Sequence, residues 1–244
     1  MTATATLIAH RGTSKVDRDF LKTIPTPAAT RTHQPIAHVQ IVEALIESLN
    51  FRHITVVRDE YAVSPDGNRM FGILELDYEF TGTRFAIGIR NANDKSMRLA
   101  MTVDYRVIVC GNMAFKGDFK PLLAKHSKSL NLIDLISVGV DKIQRNFEPL
   151  KQQVNDWRGH RLDDRNAKEI IYDAFLNSKL GIPRNLMPRV HWFYFNPEVD
   201  DFKPRTLWSL SNAFTSAFKE LKPVKQFQAT ARLGDFLEDR RMPF

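Results

Sequence analysis

Five cations crowd a short stretch of this chain: Arg84, Arg90, Lys95, Arg98 and Arg106. Around them apolar and polar residues alternate, the pattern of strands whose successive side chains point to opposite faces. All four arginines then share the polar face of a sheet. Between the two strands runs Asn91-Ala92-Asn93-Asp94-Lys95-Ser96, a polar loop. Guanidinium groups on an open sheet, with Asn91 and Asn93 adding hydrogen bonds at its edge, could track a phosphate backbone. The competing reading is a solvated face neutralised by Glu75, Asp77, Glu79 and Asp104. Phe71 is the best candidate on that face for stacking a base, and aromatics there are too few for an RNA-recognition sheet.

Other chemistry finds less support. Glu75, Asp77 and Glu79 alternate along one strand, and a row of carboxylates could hold Mg²⁺ for a nuclease. The same row can instead form cross-strand pairs with Arg84 and Arg90. His10, His33, His38, His53, His126, His160 and His191 are scattered and form no His-Glu-x-x-His or Cys/His pattern. Cys110, the only cysteine, ends an apolar strand and has no histidine coupled to it. No nucleophile elbow, phosphate loop or dinucleotide fingerprint is present. The reading is therefore of no catalytic residues, no metal and no cofactor.

The elements that position the cations can be read from periodicity and turn chemistry. Apolar residues at Ile36, Val39, Val42, Ile46 and Leu49, widened by Ile41 and Leu45, predict a helix entered through Pro35 and stopped near Asn50. Strands follow at Ile54–Val63, Met70–Phe80, Thr83–Arg90 and Arg98–Val109. Ser64-Pro65-Asp66-Gly67-Asn68 and Thr81-Gly82 are the first two turns. A two-residue loop at Thr81-Gly82 sets Glu79 opposite Arg84, Tyr78 opposite Phe85, Leu76 opposite Ile87 and Leu74 opposite Ile89. In the fourth strand Leu99, Met101, Val103, Tyr105, Val107 and Val109 share the apolar face, which the first helix is expected to cover.

Beyond Gly117 the period becomes helical. Ile133, Ile136, Val140, Ile143, Phe147, Leu150, Val154 and Trp157 make a heptad seam over 133–157 that Pro149 should kink or interrupt. The seam serves either packing on the chain's own sheet or a homo-oligomer. Asp163 caps a helix near Arg165–Asn177, Trp192-Phe-Tyr-Phe195 suggests a short strand or buried loop, and Thr206–Leu221 is a further helix. The fold class is thus α+β: an N-terminal helix packed on a four-stranded antiparallel meander, followed by a mostly helical C-terminal half. Residues 1–34 read as an irregular arm, 35–221 as a single domain (sheet part 35–118, helical part 119–221), and 222–244 as a loose polar tail.

Composition bounds the function classes. The chain has 244 residues, 43% of them hydrophobic, enough for a sizeable core. Its 35 Lys and Arg exceed 28 Asp and Glu, a balance of +7 that favours polyanions. One cysteine excludes an internal disulfide framework. Met1 to His10 lacks the basic start and apolar stretch of a secretory signal, and no apolar run is long enough for a bilayer, so no membrane partner is expected.

The stretch Gly88-Ile-Arg-Asn-Ala-Asn-Asp-Lys-Ser-Met-Arg-Leu99, continued by Tyr105-Arg-Val-Ile-Val-Cys-Gly-Asn-Met-Ala-Phe115, resembles the signature of the phage/plasmid-like protein family, a family of unknown function. Pro25-Thr-Pro27 with Gln34-Pro-Ile-Ala-His38, and Thr206-Leu-Trp-Ser-Leu-Ser-Asn-Ala-Phe-Thr215, are similar to flanking pieces of it. The resemblance implies a phage, prophage or plasmid origin and a bacterial cytoplasm, and carries no catalytic residues with it. The order of helix, meander and long helix is also that of single-strand-annealing recombinases, an analogy of fold alone. Together these lead to the expectation of a non-enzymatic DNA-binding protein acting in recombination, replication or protection. The alternative is a protein-binding inhibitor of a host defence system, of the anti-CRISPR or anti-restriction type.

Overall fold

Turn chemistry sets the order of the strands. In the computed structural model, which describes residues 14–107, 113–115, 122–177, 180–221 and 223–241, Ser64–Asn68 closes as its composition demands. Gly67 has φ 71°, its N–H donates to the Ser64 carbonyl at 2.8 Å, and Asp66 accepts from the Asn68 backbone at 3.1 Å. That turn joins β2 (Val56–Val63) to β3 (Arg69–Phe80), and Thr81-Gly82 joins β3 to β4 (Thr83–Ala92) with φ of 43° and 73°. Positive φ at both central residues suits the right-handed twist of a hairpin. The next strand, β5, is Leu99–Val107.

Two elements come from the segment expected to be an irregular arm. β1 (Ser14–Val16) pairs antiparallel with β2, Ser14 opposite Val63. α1 (Arg18–Thr23) is capped by Asp17, whose carboxylate accepts from the Phe20 N–H at 2.8 Å. Leu21 is buried, and Arg18 donates to Asp59 on β2. This part of the arm is therefore built into the domain. A short helical turn around Asp17–Lys22 is the alternative to an irregular arm in the sequence, and α1 spans it, whereas the three-residue β1 is too short to show a period.

The sheet is larger than the four-stranded meander predicted: β1-β2-β3-β4-β5 follow in order, and β7 (Leu122–Ala124) also pairs with β5. Leu74, Leu76, Phe85, Ile87, Leu99, Met101 and Val103 are all buried, so the apolar face lies where alternation put it. Besides α1, two longer helices pack with this sheet. α2 (His38–Phe51) buries Ile41, Val42, Leu45 and Leu49. It lies beside α3 (Leu132–Arg145), where Arg52 donates to Asp141 at 2.8 Å and to the Ser137 hydroxyl at 2.7 Å. α3 in turn lies on the sheet. A Cβ on Gly139 would come within 2.5 Å of Met101 and 3.2 Å of Leu122.

The hairpin register departs from expectation in one respect. Glu79 faces Arg84 as predicted, but Glu75 faces Ala86 and Leu74 faces Ile87. Four steps along β3 thus match two along β4, and two extra β3 residues bulge opposite Phe85. The Asp77 N–H leaves the ladder and donates to the Thr55 carbonyl at 2.8 Å. An offset of two keeps every side chain on its face, so Leu74 and Leu76 stay inside while their partners change. Tyr78 keeps its contact with Phe85 at 5.3 Å between ring centres, and Phe147 stacks on Phe85 at 4.3 Å.

The described residues fall into two compact units, 14–105 with 122–147, and 106–107 and 113–115 with the residues from 148 onward. The sheet, α2 and α3 form one. The second holds β6 (Met113–Phe115), α4 (Phe147–Gly159) from Glu148 onward, and α5 (Asp164–Leu176), followed by α6 (Met187–Phe195), α7 (Leu207–Phe218) and α8 (Pro223–Glu238). The heptad seam is cut at Asn146, which caps α3, so that Pro149 sits in the first turn of α4, where a missing N–H costs nothing. Seam residues Ile136, Val140, Ile143, Phe147, Leu150, Val154 and Trp157 are buried in the chain itself, and only Ile133 stands out. Two further expectations are corrected. The aromatic run is the helix α6, burying Val190 and Tyr194 four residues apart. The tail forms α8, which buries Leu233, Phe236 and Leu237 while Glu238 accepts from the Trp157 indole at 2.7 Å.

The close packing at Gly72 is open to a direct test. Gly72 opposes Ile89, and a Cβ there would meet the Tyr61 ring at 2.7 Å and Ile89 at 2.9 Å. Gly72→Ala should lower the denaturant midpoint by the equivalent of about 1–3 kcal/mol with an unchanged m-value. The Tyr61 contact comes from β2 and the Ile89 contact from β4, so an unchanged midpoint would show that neither strand approaches Gly72 this closely.

Candidate nucleic-acid interface

The residues read as phosphate contacts do not share one open surface. Arg84 is half-buried and ion-paired with Glu79, its cross-strand partner. Arg90, opposite Phe71, is half-buried; desolvation pulls its guanidinium below the ordinary value, and its Nε has no hydrogen-bond partner among the described residues. On the same face Glu60, Ala62, Glu75, Ala86, Ala100 and Thr102 are buried. Alternation assigned the face correctly, but the face is not open. The Arg106 side chain and Cys110 lie outside the described residues. Two cations remain in full view, Lys95 and Arg98, in the loop between β4 and β5. Among the described residues neither forms an ion pair.

The carboxylate row is likewise divided. Glu75 is buried opposite Arg58 of β2, whereas Asp77 and Glu79 are exposed beyond the bulge. Among the described residues no three of His, Cys, Asp or Glu are grouped to hold a metal ion.

Asn91 and Asn93 are not at the surface but in the core, 0% and 6% exposed. Their amides are spent on a network that sequence spacing did not reveal. The His38 Nε2–H donates to the Gly67 carbonyl at 2.9 Å, which leaves Nδ1 as the acceptor for the Asn91 amide at 2.9 Å. That amide also donates to the Ile36 carbonyl at 3.1 Å. The His126 Nε2–H donates to Asn91 Oδ1 at 2.6 Å. Asn93 brackets Ile36, accepting from its N–H at 3.0 Å and donating to its carbonyl at 3.1 Å. His33 donates to the Asn93 carbonyl at 3.0 Å, and its ring meets that of His126 edge-on at 5.3 Å.

This network ties four separate pieces of chain to the root of the Lys95–Arg98 loop: the entry to α2, the Ser64–Asn68 turn, the end of β4 and the segment after β7. The Asn93 N–H donates to the Asn68 carbonyl at 2.8 Å. Arg69 then holds Asp94 at 2.7 Å, and Asp94 accepts from the Ser96 N–H at 2.9 Å. Lys95 turns the chain outward at φ 66°. A signal existed in the sequence: polar Asn91 continues the inward row of Phe85, Ile87 and Ile89, and a polar residue on an apolar face needs partners. The partners themselves, at 33, 38 and 126, are too distant in sequence for any period to connect.

Compared with protein-family models, curated proteins and solved structures, the chain matches none. No helix among the described residues is long and apolar enough to cross a membrane.

Burial holds the His38 and His126 rings below the usual histidine range; for His38 the Gly67 carbonyl partly offsets this, and for His126 the neighbouring His33 and His38 add to it. The unfolded chain, with histidines near about 6.5, takes up protons first as pH falls. Stability is therefore complete above that pH and is lost as pH drops through the lowered folded values. Urea titrations should show the midpoint falling on acidification from about pH 7 to pH 5. Asn91→Ala strands His38 Nδ1 and the His126 N–H, and should cost about 2–4 kcal/mol at neutral pH.

Proposed function

We propose that the protein binds nucleic acid through its phosphate backbone, without chemistry of its own, in the recombination, replication or protection of a mobile element's DNA. The observation that carries this reading is the pair Lys95 and Arg98, exposed and without carboxylate partners among the described residues, on a loop whose root is locked by Asn91 and Asn93. A fixed loop presents its cations without a large ordering cost on binding. The balance of +7 supplies the long-range attraction. Arg90, half-buried behind the loop, adds positive potential at its base, whereas Arg84 is already engaged by Glu79. The mobile-element setting rests on the resemblance of Gly88–Phe115 to the phage/plasmid-like family.

Phosphate contact releases condensed counterions, so affinity should fall steeply with salt. In filter-binding titrations Lys95→Glu with Arg98→Glu should weaken binding at every salt concentration and flatten the slope of log K against log salt by about 2. Arg84→Ala should leave that slope unchanged. Absence of any salt-sensitive affinity for single- or double-stranded DNA would overturn the reading.

A further inference from the structure

The second unit carries a surface that the proposed loop contact does not use. On α5, Arg165, Lys168 and Tyr172 recur at steps of three and four, which places them on one outward stripe, and all three are exposed. On α6, His191, Trp192 and Phe195 fall within one turn, with the His191 and Phe195 rings 4.5 Å apart. Lys168 lies over the Phe195 ring at 5.4 Å. That contact joins the first turns of α5 to the last turn of α6. Arg205 closes the end of the row, its guanidinium 4.9 Å from the Phe195 ring and 5.1 Å from that of Tyr194.

Tyr172 is 56% exposed and Trp192 is 55% exposed. Large aromatic rings left this open among cations match a ligand that is both flat and anionic. The carboxylates nearby are few. Asp164 pairs with Arg205 at 3.6 Å, Asp163 caps α5, and Glu169 lies beside the stripe. Among the described residues Arg165 and Lys168 form no ion pair.

We propose that this face binds single-stranded nucleic acid, with unpaired bases stacking on Trp192 and Tyr172 while Arg165 and Lys168 hold the phosphates. Duplex DNA hides its base faces in its own stack, so the rings select the single strand, and stacking tolerates any base sequence. A protein or lipid partner would suit exposed rings too, but the α5 cations beside the rings, unpaired among the described residues, favour a polyanion. The inference rests on the nucleic-acid reading above and deepens it by naming the strand form and a second contact surface.

The protein contains its own probe. Of its three tryptophans, Trp157 and Trp208 are 2% and 1% exposed, so Trp192 is the one that a ligand can reach. Intrinsic fluorescence of the full chain should be quenched by an oligo-dT strand and unaffected by a duplex of the same length or by heparin. Trp192→Ala with Tyr172→Ala should weaken oligo-dT binding about tenfold and leave duplex binding unchanged, as should Lys168→Glu as an independent variant. Both aromatic sites are exposed, and circular dichroism checks that the variants fold. Salt-sensitive binding of oligo-dT with unaltered emission and no loss in these variants would overturn this inference while the loop reading stands. Binding of neither strand form would overturn both. Quenching by anionic phosphatidylserine vesicles but not by oligo-dT would overturn it in favour of a lipid surface.

Discussion

A buried polar group must find its hydrogen bonds inside the protein, and in the sheet unit that requirement converges on Asn91. The side chain is fully enclosed, yet it meets His38, His126 and the Ile36 backbone together. Each partner comes from a different piece of chain, so none of those pieces can move far without leaving a donor or acceptor unpaired in a low-dielectric core. The same geometry dictates the proton positions. Gly67 takes the His38 Nε2–H, which makes Nδ1 an acceptor for the Asn91 amide, whose oxygen in turn takes the His126 Nε2–H. Loop placement, histidine charge and the entry angle of α2 are three expressions of one satisfied network.

Local rules served the reading of this chain well where structure is local. Ser64–Asn68 and Thr81-Gly82 are turns because Gly and Pro restrict or release φ within a few residues, and the inward row of β5 follows from alternation alone. What failed needed information from elsewhere in the chain. The polar sheet face was assigned by parity, and parity says nothing about whether a face is covered; Glu75, Ala100 and Thr102 are buried all the same. Asn91 and Asn93 look like loop-edge ligands in a polar string, but their surroundings come from residues 33–38 and 126. α6 was missed because four consecutive aromatic residues favour a strand by propensity, while Val190 and Tyr194 supply the helical contact that decides it.

The cations divide by what surrounds them. Arg58, Arg69 and Arg84 are held by Glu60, Asp94 and Glu79, and such pairs fix side chains while contributing little to the external field. Lys95 and Arg98 on one unit, and Arg165 and Lys168 on the other, keep their charge for solvent or for a ligand. In the proposed reading the loop and the α5–α6 face, and not the sheet, would meet the ligand. Charge gives attraction to any polyanion, whereas exposed rings such as Tyr172 and Trp192 would distinguish an unstacked base from a paired one.

The bulge in β3 has a consequence for how this hairpin can vary. Inserting two residues leaves inward and outward sides unchanged, whereas inserting one would send Leu74 and Leu76 to the opposite side of the pleat. The strand can therefore absorb length changes in even steps with its oily lining intact, and each step curls the sheet more tightly near Thr55 and Asp77, where the displaced amide has already found a new acceptor. Curvature in this molecule is thus a quantity that chain length can adjust without repainting either surface.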